Sequence, residues 1–403
     1  MNRNPFVLSP SIPDDLFCDR QDESRSLIKC MTNQENVVLT SPRRVGKTGL
    51  VYHCFAQDII KDQYITVSVD ILHTTSFQEF ILELGNAVFK SVAKRNERMM
   101  KYFMACLRSL SGSFGIDPAT GSPTFDIKLG QISTPEYTLD EIFEYLENAE
   151  KPCIVAIDEF QQILKYQGVN MEALLRGRIQ KMKNTNFIFA GSERRMMNEM
   201  FFSDKRPFFQ SATLLQLEPI ALPVYCDFVK FHFQKAGKDI DETAIEWAYQ
   251  QYDGITMYTH KLFHDAYAET EKGESCRTED MQRISSLLIQ QNAKRLQELL
   301  AYISEQQKEL LYAIASEKQT SQLTSSAFVK RHHLKSASAV QSAARKLLEF
   351  ELITEQSKTF SISDPLLRIW LERGRYAMRD IKNARGFQQV PGVMIKNNLL
   401  RLD

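Results

Sequence analysis

Val37-Val38-Leu39-Thr40-Ser41-Pro42-Arg43-Arg44-Val45-Gly46-Lys47-Thr48 decides how the rest of the chain is read. Its first four residues are a short apolar run, bounded by Asn36 and Ser41-Pro42, and predict a buried strand. The residues from Lys47 through about Ile60 read as a helix, so the basic segment between them is a strand-to-helix turn. Such a turn can aim inward backbone N–H groups and a helix N-terminus at an anion. Gly46 permits close backbone approach, Lys47 supplies a cation for terminal phosphate oxygens, and Thr48 a hydroxyl for Mg2+. Ser41, Pro42, Arg43, Arg44, Val45, Gly46, Lys47, Thr48 and Gly49 are therefore candidate nucleotide-phosphate contacts. Ser41 stands where the usual pattern has Gly, and it fits if its φ is negative. Alone, the stretch could also be a basic turn before a helix.

A second element lies downstream. Cys153-Ile154-Val155-Ala156-Ile157 is a continuous apolar run ending in Asp158-Glu159. A buried strand there carries Asp158 to the carboxyl edge of a sheet, where it can hold Mg2+ through water, and Glu159 follows, placed to polarise an attacking water. Read singly, the two acids could instead cap the next helix.

The segments around these elements share one rhythm. A Pro- and Asp-rich lead-in at 5–20 precedes a helical pattern at 22–31, a strand at 64–70 and a helix at 76–95. The stretch 109–135, rich in Gly, Ser, Pro and Thr, reads as an excursion from the core. Helices at 138–150 and 171–184 flank the Asp158 strand, and a further strand at 186–190 ends at Gly191-Ser192. Apolar strands alternating with helices predict an α/β nucleotide-binding domain, its parallel sheet covered by helices on both faces, over residues 1–218. An all-α lid follows at 219–304, with helices at 223–236, 241–252, 256–271 and 278–304. Residues 305–372 give three helical segments and a hairpin, 352–355 and 359–362, the outline of a winged helix; 373–403 is a basic tail.

With both elements and their flanks in view, the chain resembles the archaeal-type P-loop ATPases, within the AAA+/STAND group related to the origin-recognition ATPases. The likeness rests on Ser41–Thr48, on Asp158-Glu159-Phe160 and on Gly191-Ser192-Glu193. It extends to Asn4-Pro5-Phe6, to Phe17-Cys18-Asp19-Arg20 beside the adenine, and to Asp364-Pro365 through Trp370 after the wing. The resemblance implies an ATPase in which Lys47 and Thr48 meet phosphate and Mg2+, Asp158 holds the Mg2+ water and Glu159 is the catalytic base. Ser192 falls at the sensor-1 position, or is equally an N-cap for the helix after it. Three departures stand out: Asp19 for Gly, Ser211 for the Arg of a trans-acting finger, and Thr256 for Pro in Gly-x-Pro. With Ser211 in that place, Arg206 or Lys205 is the substitute finger, and slow basal turnover is expected.

The chain has 403 residues, 50 Lys+Arg and 50 Asp+Glu, so its formal net charge is zero. That excludes a uniformly basic coat protein, yet the zero is a sum of two unlike parts. Residues 324–403 carry 14 Lys+Arg and 7 Asp+Glu, a net of +7, which leaves −7 on the remainder. Lys335, Arg345, Lys346 and Lys358 lie on or beside the expected recognition helix and wing, where they could follow a DNA backbone. Ser336-Ala337-Ser338-Ala339 offers little for reading base edges, and winged helices also serve as protein-interaction modules. A homo-oligomer or a protein partner fits the composition as well.

No apolar run is long enough for a bilayer and no signal segment opens the chain, so no membrane partner and a cytoplasmic location are expected. Seven scattered cysteines read as reduced thiols. His260 and His264, four apart with no third ligand nearby, read as an ordinary helix surface. A protein-kinase reading fails because no H-R-D-type loop is present. Two functions remain: a Mg2+-dependent ATPase acting as a switch or small motor, or a DNA- or protein-binding regulator that holds ATP with little hydrolysis.

Overall fold

A computed structural model describes residues 3–110, 114–116, 123–125, 132–356 and 358–374. It divides into two compact units, Met1–Tyr249 with Gly254–Cys276, and Gln250–Asp253 with Arg277–Asp403.

The first unit opens with α1 (Gln21–Thr32), β1 (Val37–Thr40), α2 (Lys47–Ala56), α3 (Asp58–Lys61) and β2 (Ile65–Asp70). Next come α4 (Phe77–Ala93), α5 (Glu97–Cys106), the short pair β3 (Phe114–Ile116) and β4 (Pro123–Phe125), and α6 (Pro135–Glu147). The sheet is completed by β5 (Cys153–Asp158), α7 (Met171–Ile179), β6 (Thr185–Gly191), α8 (Arg194–Phe202) and β7 (Thr213–Gln216). The five long-range strands pair in parallel in the order β2-β5-β6-β1-β7. Every residue of β1 and β6 is buried, as is all of β5 but Asp158, which accounts for their unbroken apolar runs.

Edge strand β7 is one element that the sequence reading lacks. Three of its four residues are exposed, so no apolar pattern marks it, and pairing with β1 is what makes it a strand. The helix expected at 171–184 ends at Ile179, with carbonyls of its last turn capped by Gln180 and Lys181. Most of the excursion at 109–135 lies outside the described residues, apart from β3 and β4 and its two ends.

Beneath the sheet, Phe160, Phe189, Phe201 and Phe208 form one aromatic cluster with ring centroids 4.6–5.9 Å apart. These rings fix the strand-to-helix connections after β5 and β6, which is where the candidate site lies. Gly191, at the end of β6, is needed for space: a Cβ there would stand 2.6 Å from Met197 and from Gln161 Oε1.

The first unit ends in α9 (Leu222–Lys235), β8 (Asp239–Ile240), α10 (Glu242–Gln251), α11 (Thr256–Glu269) and β9 (Ser275–Cys276). The expected all-α lid thus contains a two-residue parallel pairing between β8 and β9, too short to leave a period in the sequence. Phe6 is fully buried among Phe228, Phe233, His260, Phe263 and Tyr267, with centroids 5.4–6.0 Å apart where the rings meet. Asn4 anchors it by donating to the His264 carbonyl at 2.9 Å. This packing corrects the surface reading of His260, which is 6% exposed and paired through Nδ1 with the Tyr225 hydroxyl at 2.8 Å.

The second unit contains α12 (Thr278–Ala301), α13 (Glu305–Glu317), β10 (Gln319–Thr320), α14 (Ser326–Arg331), α15 (Ala337–Glu349), β11 (Ile353–Gln356) and β12 (Thr359–Ile362). β11 and β12 form the expected antiparallel hairpin, and β10 adds a third strand to it. Ser304, Ser325 and Ser336 each cap the helix that follows, which explains the sharp breaks between helices. Arg368, 5% exposed, pairs with Glu372 and Asp253 and donates to the Gln251 carbonyl, tying the segment after the wing to residues 250–253. Within the basic tail, the residues from 375 onward lie outside the described residues. No described helix is long and apolar enough to cross a membrane. Among the described residues the seven cysteines form no disulfide, and five of them are buried.

His260 makes acid sensitivity measurable. Burial pulls its pKa from 6.5 to about 4, with His232 and His264 adding in the same direction. As pH falls below 6.5 the unfolded chain takes up a proton that the folded one refuses until about pH 4. Stability is therefore complete above that window and lost through it, by on the order of 3 kcal/mol at most. His260→Gln should flatten the fall in thermal midpoint across that range; an unchanged slope would remove His260 as its source.

Candidate functional site

Parallel strands place their carboxyl ends on one edge, and register decides which residues meet there. Thr40 pairs with Gly191 and Asp70 with Asp158, so the residues after β1, β5 and β6 lie side by side. Ser41–Gly46 leaves β1 and turns directly into α2, whose first residue is Lys47. The turn needs left-handed backbone at two positions, Arg44 at φ 67° and Gly46 at φ 106°. Gly46 adopts it freely, while Arg44 bears a cost of about 1–2 kcal/mol.

The expected loop residues come together. Ser41 is fully buried and not at positive φ, which answers the departure from Gly at that position. Its hydroxyl donates to the Pro42 carbonyl at 2.7 Å and accepts from Lys47 Nζ at 3.3 Å. Lys47 is 7% exposed. Burial lowers its pKa, opposed by the Glu159 and Asp158 carboxylates. Thr48 donates to Asp158 Oδ2 at 2.6 Å. Burial raises the Asp158 pKa, opposed by that Thr48 hydrogen bond and by Lys47. Both shifts have one origin, charge withdrawn from water at the edge of a sheet. A polyanion carrying a divalent cation would add counter-charge to what the two groups already give each other.

The donor set fits such a pair. A threonine hydroxyl and one carboxylate are hard oxygen ligands suited to Mg2+, which takes few protein ligands and completes its shell with phosphate oxygens and water. Among the described residues, no group of three His, Cys, Asp or Glu side chains could hold a metal independently.

Glu159 sits one residue beyond Asp158 with φ 57°, a left-handed turn into the 3-10 segment Phe160–Lys165. Its Oε2 accepts from the Ser192 hydroxyl at 2.7 Å and from Gln161 Nε2 at 2.5 Å. The N-cap alternative for Ser192 is thereby corrected, because the N-cap of α8 is Glu193 and the Ser192 hydroxyl goes to Glu159. Arg43 reaches the same serine, its Nε 3.4 Å from Ser192 Oγ. Arg206 is drawn elsewhere: it pairs with Glu172 at 3.0 Å and Glu199 at 3.5 Å, so a finger role would require breaking both pairs.

Other residues were not anticipated as part of this neighbourhood. Gln161 gave no sequence signal beyond its place two residues after Glu159. From α11, Thr256 donates its hydroxyl to the Val45 carbonyl at 3.1 Å and Met257 its backbone N–H to the Arg44 carbonyl at 3.1 Å. Tyr258 receives the Arg44 guanidinium, by hydrogen bond and over its ring. The Thr256 departure thus adds a hydroxyl bond to the loop that proline could not make. Asp19 and Arg20 both have positive φ, a conformation that favours glycine, and Arg20 is held by Glu23 and the Glu218 carbonyl.

Compared with known proteins, the C-terminal part matches the family described as a probable winged helix domain, over residues 294–373. The structure is similar to a Walker-type ATPase of Pyrococcus abyssi, at 20% identity and TM-score 0.64, over 91% of this chain and 99% of that one. It is also similar to the ORC2 protein of Aeropyrum pernix, at 12% identity and TM-score 0.56, over 94% of this chain and 99% of that one. The chain shares its α/β fold with these two proteins. No curated protein matches the sequence. At these identities the likeness carries the fold, and the chemistry rests on the side chains above.

For this P-loop fold, Lys47→Ala removes the buried ammonium from the loop. The variant should lose ATP affinity by at least about 100-fold, the value of roughly 3 kcal/mol of charge-assisted contact. Undiminished affinity in a fluorescent-nucleotide titration would overturn the phosphate-loop assignment.

Proposed function

We propose that the chain binds ATP with Mg2+ and hydrolyses it, working as a nucleotide-driven switch or small motor. The observation that carries this reading is the convergence of Lys47, Thr48, Asp158, Glu159 and Ser192 on one sheet edge. Support also comes from the fold shared with an ORC2 protein whose structure was determined as ADPNP-ADP complexes.

In this reading the triphosphate rests in the Ser41–Gly46 turn at the N-terminus of α2, with Lys47 against its terminal oxygens. Thr48 and Asp158 would hold Mg2+, which would supply charge neutralisation on the phosphates. Glu159 takes a proton from water as its oxygen bonds to the γ-phosphorus; the bond to the bridging oxygen breaks and its electron pair leaves with ADP. Ser192 orients Glu159, and Arg43 stands beside Ser192 on the loop. Hydrolysis is the step most sensitive to Glu159. Glu159→Gln should bind ATP as the parent does and lower kcat by about 100-fold or more, the usual contribution of a positioned base. Unchanged turnover would take Glu159 out of that role.

The regulator reading, with ATP held and little hydrolysed, draws on Ser211 and on the engagement of Arg206 by Glu172 and Glu199. Turnover measured with and without added DNA separates the two.

For the winged helix we propose a DNA-backbone contact through Lys335, Arg345, Lys346 and Lys358, all of which are exposed. Lys346 is paired with Glu349 at 2.7 Å and Arg331 with Glu317 at 2.7 Å, which leaves Lys335, Arg345 and Lys358 as the stronger candidates. Each phosphate neutralised contributes about one unit to the log–log salt slope of binding. Replacing both Lys335 and Arg345 by Ala should reduce that slope by about 2. An unaltered slope would favour a protein partner for this face.

A further inference from the structure

We infer that Gln161 is a positioning residue for hydrolysis, holding the Glu159 carboxylate in its working orientation; the inference rests on the ATPase reading above. Gln161 is 1% exposed, and its Nε2 donates to Glu159 Oε2 at 2.5 Å. The amide cannot be turned the other way, because Oε1 would then face a carboxylate oxygen with no proton between them. Ser192 donates to the same Oε2, so both hydrogen bonds fall on one oxygen of the base. With Oε2 occupied by two donors, Oε1 is the carboxylate oxygen available to take the proton from the attacking water. That proton moves to Glu159 as the water oxygen bonds to the γ-phosphorus and the bridging bond breaks toward ADP.

The neighbourhood of Gln161 is otherwise unfavourable for an amide. Its Oε1 is buried without a hydrogen-bond partner among the described residues, a destabilising arrangement that an apolar side chain of similar size would relieve. The end of β6 makes room for it, since a Cβ on Gly191 would stand 2.6 Å from this Oε1. Packing alone therefore favours leucine or methionine at 161, and the bond to Glu159 is what the amide adds. A residue held for its action on the base and not for its packing should show separable effects on stability and turnover.

The test uses the full chain and five proteins: the parent, Gln161→Leu, Gly191→Ala, Glu159→Gln and the double variant Gln161→Leu/Glu159→Gln. ATP affinity, steady-state hydrolysis and thermal midpoint are measured on each. Gln161→Leu should bind ATP as the parent does, with KM unchanged and a thermal midpoint no lower. Its kcat should fall about 10- to 100-fold, the scale of a misplaced catalytic group. The double variant should turn over no more slowly than Glu159→Gln alone, because Gln161 acts through that carboxylate. Gly191→Ala approaches the amide from the opposite side and should reproduce the kcat loss, which covers the case of a misfolded Gln161→Leu. Parent-like kcat in Gln161→Leu or Gly191→Ala, or equal further losses in the Glu159→Gln background, would overturn the role of Gln161. ATP binding by a parent that does not hydrolyse it would also overturn that role while leaving the nucleotide site standing. Absence of ATP binding by the parent would instead overturn the ATPase reading itself.

Discussion

A lysine ammonium and an aspartate carboxylate withdrawn from water at the same sheet edge set the terms for the rest of the first unit. Lys47 opens α2 and Asp158 closes β5, and each is shifted toward its neutral form by burial. Such charges persist only where the surroundings pair them and hold them in place. The surroundings here are specific: the Ser41 hydroxyl on Lys47, the Thr48 hydroxyl on Asp158, and α11 fastened to the loop carbonyls of Arg44 and Val45. The aromatic cluster around Phe160 and Phe208 then fixes the turns that carry Glu159 and Ser192.

Much of this was legible in the sequence because the central strands are buried on both faces and end in polar residues. The runs Val37–Thr40 and Cys153–Asp158 therefore reveal both the sheet and the carboxyl edge where its chemistry lies. What was not legible depends on contacts distant in sequence. β7 is a strand only through β1, and β8 and β9 through each other. Ser192 has two plausible jobs until its hydroxyl is located on Glu159, and Gln161 has none until the turn after β5 brings its amide to the same oxygen. His260 reads as surface by its spacing from His264, yet Phe6, arriving from the other end of the unit's sequence, helps to bury it.

The zero net charge of the chain conceals a division that runs along its length, −7 over residues 1–323 and +7 over 324–403. Part of the positive share is already spent inside the winged-helix segment. Glu317 takes both Arg331 and His332, and these hydrogen bonds keep its carboxyl below the usual range although burial acts the other way. Lys335, Arg345 and the wing residue Lys358 are exposed on the same unit.

The central claim is that one edge of the parallel sheet is a Mg2+-dependent ATP site. Its most direct test is equilibrium titration of the intact chain with ATP, once with Mg2+ and once with EDTA. The account predicts saturable one-to-one binding that weakens markedly when the metal is removed. Absence of saturable binding in the presence of Mg2+, or binding indifferent to the metal, would contradict it.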